Sequence, residues 1–511
     1  MAGPSSHSPH MHAVDHAPLL PLAAVFLAAC SGPAHAVSPD GFPDAIALVR
    51  VDAGDAHNAY DAPSEAGPAC AGATLPVVEP SDPAAAARGY SQFTEQVLSP
   101  GYVPTQALTA LGIVAATGLP VVLPGQAPTE AYWAAFRARY GFYTAPFENG
   151  GYPMGIRIAG NGLAMFDCLT CHASVVAGQT LIGVGNSQLD LQGLFDDIAE
   201  LRTVATSYGY TVPPLPFTIE GRTGAAGAND AFGLGMYLAT QYDPSAPSTL
   251  HTTAGFQQPP TWWTLRFRKK MYLDGSGQAG GYRTMMATLL ASGEPLSDLQ
   301  AWDATFSDIY QYLLSLEPPC WTLSTIDPAA QSRGLTVFDA TCASCHGVHS
   351  GPSAEFPDQV VSAATVGTDP VRAESFAPAD AAWIDSTWFG GNGQAPYSMT
   401  STGGYLAPPL AGAWATAPYF HNGSVPDLAG VLDSTQRPTR WQRTGSSASD
   451  YDPATVGWRY TTANASVGNA TVSERVVYDT TLPGLSNGGH TYGDGLTAAQ
   501  RSDLLEYLRS L

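Results

Sequence analysis

The chain has 511 residues, 45% of them hydrophobic, with 53 Gly, 42 Pro, a formal net charge of -22 and a pI near 4.7. The length allows two or three domains with a sizeable core, the Gly and Pro content makes loops abundant, and the acidity argues against nucleic acid as a partner. Seven cysteines remain to be placed, and their spacing carries most of the functional signal.

An apolar run begins at Leu19 and reaches Leu27-Ala28-Ala29-Cys30. It resembles the lipobox of bacterial lipoprotein signal peptides, so residues 1–36 read as a signal peptide with Cys30 as an acylated mature N-terminus. Cleavage after Ala34-His35-Ala36 is the rival reading, and neither explains why no Lys or Arg precedes Leu19. The run is too short to span a membrane as a stable helix. Either leader exports the chain, to the periplasm, to the outer membrane as a lipoprotein, or to the medium. In such a compartment Cys70 and Cys320 are candidates for a disulfide, with two buried free thiols as the alternative. Residues 37–100, rich in Ala, Pro, Gly, Asp and Ser, read as a flexible extension.

Globular patterning starts near Gly101. Thr129 caps an amphipathic helix that runs to Tyr140 and stops at Gly141, and 150–155 is a loop leading to Cys168-Leu169-Thr170-Cys171-His172. The same C-x-x-C-H spacing returns at Cys342-Ala343-Ser344-Cys345-His346. This is the attachment site of a c-type haem: two thiols on one helical face add to the haem vinyl groups, and the following histidine gives its ring nitrogen to the iron. A zinc site would bring two C-x-x-C pairs within about 15–20 residues of each other, and a thioredoxin pair would sit beside a βαβ pattern. Neither context is present, so the chain carries two covalently bound haem c groups, with His172 and His346 as iron ligands.

Between the motifs, Arg266-Phe267-Arg268-Lys269-Lys270 concentrates positive charge in an acidic chain, and it either pairs with haem propionates or forms an exposed turn. A helix is expected over 296–316, stopped by Pro318-Pro319. Asp327-Pro328 starts the helix that leads into the second motif. Thr497 with Gln500 forms a capping box for a final helix carrying Leu504, Leu505, Tyr507, Leu508 and Leu511. Phe338 against Tyr507 is the expected contact between those two helices. The fold class is therefore mainly α and loop-rich, with two cytochrome c-like units behind an irregular extension: an N-terminal haem domain at 101–319 and a C-terminal cytochrome c domain at 320–511.

Outside the leader and the two motifs, the histidines are His57, His251, His349, His421 and His490. His349 follows its motif too closely to cross to the other haem face. His421 lies in Ala417-Pro418-Tyr419-Phe420-His421-Asn422-Gly423-Ser424, which, downstream of the second C-A-S-C-H, resembles the bacterial di-haem cytochrome c peroxidases, a superfamily that includes MauG enzymes and rubber oxygenases. The Leu482-Pro483-Gly484-Leu485-Ser486-Asn487-Gly488-Gly489-His490 stretch is closer to the rubber-oxygenase-like branch, and 149–155 and 185–190 also look like branch motifs around the first haem. The resemblance covers about residues 130 to 511. It implies that His490 is the distal ligand of the second haem and His421 a haem-pocket residue, with His421, Met399 and Tyr419 as rival ligands.

For the first haem only His57 and His251 are left, and an iron without a strong sixth ligand binds O2 or peroxide. Peroxidase relatives place an acid/base Glu there, and Glu200 is the candidate by position, against its reading as a solvated helix residue. Rubber oxygenases have an apolar distal pocket, for which Phe232, Trp262, Trp263 and Phe267 are candidates. A tryptophan also bridges the haems in relatives, so Trp262 or Trp263 is either a bridge or a core residue. Comparable rubber oxygenases are longer than this chain, and classical di-haem peroxidases are shorter. The implied activity is an oxidoreductase using peroxide or O2 and electrons from a small redox partner. An electron carrier and an oxygenase that cleaves C=C bonds in an apolar polymer such as polyisoprene are the alternatives.

Overall fold

The structure is a computed structural model that describes residues 82–98, 101–215, 219, 221–242, 254–292, 295–349, 355–465 and 468–511. Cys30, His57, Cys70 and His251 lie outside the described residues. Helix outweighs strand, and long loops join short elements. Among the described residues no helix is long and apolar enough to cross a membrane.

The first element departs from expectation, because α1 (Pro83–Glu95) occupies the end of the segment read as a flexible extension. Its start follows ordinary capping chemistry: the Asp82 carboxylate accepts from the Ala85 N–H at 2.9 Å, and Pro83 occupies the first turn. Next come α2 (Glu130–Tyr140), capped by Thr129 and closed by Gly141 in the left-handed region as expected, and α3 (Leu191–Val204), capped by Asp190. The first motif lies between two antiparallel β elements. Strands β1 (Val103–Pro104), β2 (Ile156–Ile158) and β3 (Leu163–Phe166) form a sheet ordered β1-β3-β2 just before it. The hairpin of β4 (Ala173–Val176) and β5 (Gln179–Ile182) follows, turning at Ala177 and Gly178, both with positive φ.

The helix expected over 296–316 breaks at Trp302, whose ψ of 4° leaves the helical region, giving a short turn (Leu296–Ala301) and then α4 (Asp303–Ser315). The second motif is entered by α5 (Pro328–Thr341), capped by Asp327, and the chain ends in α6 (Ala498–Arg509), opened by the Thr497–Gln500 capping box. Phe338 and Tyr507 meet with ring centres 5.1 Å apart, the contact expected from sequence.

The two pairs, α1 with α4 and α5 with α6, are built alike. A Cβ on Gly89 would lie 2.1 Å from the Asp308 carbonyl oxygen, and one on Gly334 would lie 2.0 Å from that of Asp503, so both pairs cross at backbone contact. Arg88 binds Asp308 through two nitrogens, and Arg333 binds Asp503 in the same way. Phe93 packs on Tyr312 at 5.7 Å where Phe338 packs on Tyr507. One buried cluster contains the aromatics of both pairs, including Phe93, Trp262, Trp263, Tyr312, Phe338, Trp414 and Tyr507, and a second unites α2 with α3. Both pairs belong to a single compact unit.

Candidate haem sites

At the second motif, α5 ends on Cys342, and the short turn Ala343–His346 carries Cys345 and His346, with both cysteines as free thiols. The Nδ1 of His346 lies 2.8 Å from the Pro408 carbonyl oxygen. That bond fixes the ring's tautomer and leaves Nε2 for a metal. Burial lowers the His346 pKa and takes that of His490 to about 4, so both rings are neutral, as ligation requires. Their ring centres are 6.3 Å apart. Two imidazoles on opposite sides of one metal, each with a nitrogen about 2 Å from it and a ring centre about 1.2 Å further, have centres about 6.4 Å apart. The rings also line one cavity of about 370 Å³ with Cys342 and Cys345. The residues present therefore fit a haem c held by two thioethers and two histidines.

His421 lines the same cavity but is tied elsewhere. Its ring stacks on Tyr405 at 4.1 Å, and its Nε2 sits 3.1 Å from the Tyr405 hydroxyl, which itself donates to the Asp369 carbonyl. Tyr419 also lines the cavity, with its hydroxyl on the Val456 carbonyl at 3.0 Å. Met399 is buried with its N–H on Asp385. His349 accepts the Leu410 N–H at Nε2, at 2.8 Å, which accounts for it without a metal. The basic segment divides: Arg266 pairs with Glu317, Lys269 is exposed, and Arg268 is buried against the cavity with its Nε unpartnered and its pKa brought down to about 10 by burial.

The first motif is braced by the two loops singled out in the sequence. The Asn186 side chain donates to the Gly141 and Thr170 carbonyls at 2.8 and 3.0 Å, and its N–H donates to Cys171 at 2.8 Å. Asn149 donates to the Tyr152, Pro153 and Ile156 carbonyls, while Thr170 donates to the Gly155 carbonyl at 2.9 Å. Gly155 has a φ of +88°, and a Cβ there would lie 2.4 Å from the Thr170 nitrogen. Cys168 and Cys171 are free thiols whose pKa values burial raises to about 12. Burial takes the His172 pKa to about 3. The nearby Pro260 carbonyl opposes that shift from outside good hydrogen-bond geometry with Nδ1.

Glu200 is exposed on α3, between the buried Ile198 and Leu201 that face the core. Helical periodicity turns it to solvent, so the acid/base position expected for it in a haem pocket is not formed. Trp262 lies flat on the His172 ring, with centres 4.0 Å apart and planes at 16°. That contact leaves no room for a porphyrin between them and sets Trp262 beside the proximal ligand rather than in a distal pocket. Trp263 donates its indole N–H to the Ala411 carbonyl at 2.8 Å, and Ala411 lines the second cavity. The tryptophans thus stand between the two motifs. Phe267 packs on Phe356, and Phe232 packs on Tyr272 and Phe376. Cys320 is disulfide-bonded while all four motif cysteines are free, so its partner lies outside the described residues, where the expected Cys70 also lies.

The α5–α6 pair and the second cavity have the features of a cytochrome c-like unit. Residues 404–442 match a family model described as RoxA-like, cytochrome c-like, a stretch that includes Tyr405, Ala411 and His421 of the cavity wall. The match supports a cytochrome c-like, rubber-oxygenase-related chain with covalently bound haem c. The uncharacterized protein y4iM of Sinorhizobium fredii is 27% identical over 325 residues, 55% of this chain and 71% of that protein. The uncharacterized protein y4iJ of the same organism is 25% identical over 312 residues, 46% of this chain, and the match spans 50% of that protein.

Proposed function

We propose that the protein is an exported di-haem c-type cytochrome oxidoreductase in which the second haem relays electrons and the first activates O2 or peroxide. The spacing of His346 and His490 carries the reading, because it suits a closed, six-coordinate iron. Among the described residues, His421 and His490 line the second cavity and His349 is bonded to the Leu410 N–H, and none of the three rings bonds to or stacks on the first motif, in keeping with an open first iron. Bound haem supplies the redox chemistry, and the chain sets ligation and access. His172 and His346 are held neutral for the metal, Arg268 offers its spare donor to a propionate in the second cavity, and Trp262 and Trp263 carry electrons between the sites. Glu200 in solvent and the RoxA-like match favour O2, with C=C cleavage in an apolar substrate, over peroxidase chemistry. Electrons would come from a small redox partner, and Cys30 would anchor the chain to a membrane.

Low-temperature EPR and visible spectra of the haem-loaded protein, before and after cyanide and peroxide, test the assignment. One low-spin and one reactive high-spin haem are expected. Two unreactive low-spin haems, with no change on partial reduction, would leave an electron carrier. O2 uptake with an alkene polymer, compared with peroxide turnover, separates the two enzymes.

A further inference from the structure

We infer that Arg437 is the positioning residue for the distal ligand of the second iron: its guanidinium fastens the loop that carries His490 and so decides whether that iron is closed or open. The inference rests on the reading of His346 and His490 as an axial pair. Arg437 follows the short helix Leu428–Leu432 and is half-buried. Its hydrogen bonds all end on backbone carbonyls. Nε donates to Gly430 at 2.8 Å, Nη1 to Asn487 at 2.8 Å and Gly489 at 2.7 Å, and Nη2 to Val431 at 3.4 Å and His490 at 3.2 Å. Asp433 and Asp494 are near enough to stabilise its charge but take none of its donors.

Only a planar fork with five donors can span these partners. Gly430 and Val431 belong to the last turn of a helix, whose unpaired carbonyls favour a cation. The other three carbonyls belong to the loop that ends in His490. That loop needs holding, since His490 has a φ of +46° and Gly489 a φ of +72°. The left-handed conformation is costly for a side-chain-bearing residue, because its Cβ crowds the following carbonyl. A Cβ on Gly489 would lie 2.1 Å from the Gly367 carbonyl carbon, so the chain has no slack there. The His490 N–H is taken by the Val366 carbonyl at 2.7 Å. Phe420 fills the remaining space, with the guanidinium 4.8 Å above its ring and the His490 ring 5.8 Å away. Without the fork, the loop relaxes out of the left-handed region and the imidazole leaves its place opposite His346.

The test uses full-length, haem-loaded protein with Arg437→Lys, which keeps stem and charge but lacks the fork, Arg437→Met, and His490→Ala as control. Spin state is read by EPR and visible spectra, and CO binding is read on the reduced protein. The expected result is loss of the second haem's low-spin signal and new CO binding in both Arg437 variants, with added imidazole restoring the low-spin state. An unfolded haem c chain would also take imidazole, so parent-like far-ultraviolet circular dichroism and an unchanged urea midpoint are read alongside to show that the variants are folded. Should Arg437→Met yield no holoprotein, Arg437→Lys decides alone. An unchanged low-spin signal without CO binding in the Arg437 variants, alongside its loss in His490→Ala, would overturn the inference. If His490→Ala itself keeps the signal, the axial pair is wrong instead.

Discussion

His421 and His490 face one cavity, and what separates them is where each ring is tied. The Nε2 of His421 is engaged by Tyr405, whereas His490 makes no side-chain hydrogen bond at Nδ1 and stands at ligation distance from His346. His490→Ala should convert the second haem to high spin, and His421→Ala should leave it low spin; the reverse pattern in EPR would exchange their roles. His349 gives a pH prediction. Burial takes its pKa from 6.5 to about 3, so the unfolded chain binds the proton more readily, and the stability tied to the neutral ring is complete above pH 6.5 and falls as pH drops toward 3. His349→Gln keeps an acceptor for the Leu410 N–H and removes that titration. Its unfolding free energy should fall less steeply than the parent's between pH 6.5 and 3, by up to about 1.4 kcal/mol per pH unit, in urea titrations. Equal slopes would show that His349 does not titrate on unfolding.

At the scale of elements, the close crossings define the two helix pairs. Gly89→Ala and Gly334→Ala should each destabilise by about 1–3 kcal/mol, because the new methyl meets a backbone carbonyl that cannot rotate away. If helix propensity governed instead, each would stabilise by about 1 kcal/mol, and chemical denaturation distinguishes the signs. The second pair was legible in the sequence: Asp327-Pro328, Thr497 with Gln500, and Phe338 against Tyr507 are local signals, and the motif follows them directly. The first pair was missed although its signals are the same. Asp82-Pro83, Arg88, Gly89 and Phe93 repeat the spacing of Asp327-Pro328, Arg333, Gly334 and Phe338, and Ser307-Asp308 with Tyr312 repeats Ser502-Asp503 with Tyr507. An insertion carrying α2 and a small sheet separates α1 from Cys168, so the helix stood in a region that composition marked as irregular. Glu200 failed for a different reason. Position along the chain points to Glu200, while the helical phase of the buried Ile198 and Leu201 turns it outward. The brace made by Asn149 and Asn186 was visible only as a resemblance, because side-chain bonds to distant carbonyls leave no periodic trace.

Across the whole molecule the two motifs do not occupy separate halves. Cys168→Ser with Cys171→Ser should halve the haem per chain in a pyridine haemochrome assay and leave the low-spin signal of His346 and His490; unchanged haem content would remove the first site. The second cavity nevertheless takes walls from before residue 319: Gly185, Pro259, Pro260, Arg268 and Leu273 all line it. The segment from Gln258 to Thr264 reaches both ways. The Gln258 N–H donates to the His421 carbonyl at 2.7 Å, Trp262 covers His172, and Trp263 holds Ala411. A substitution along this stretch therefore reaches the His172 ring on one side and the wall of the second cavity on the other.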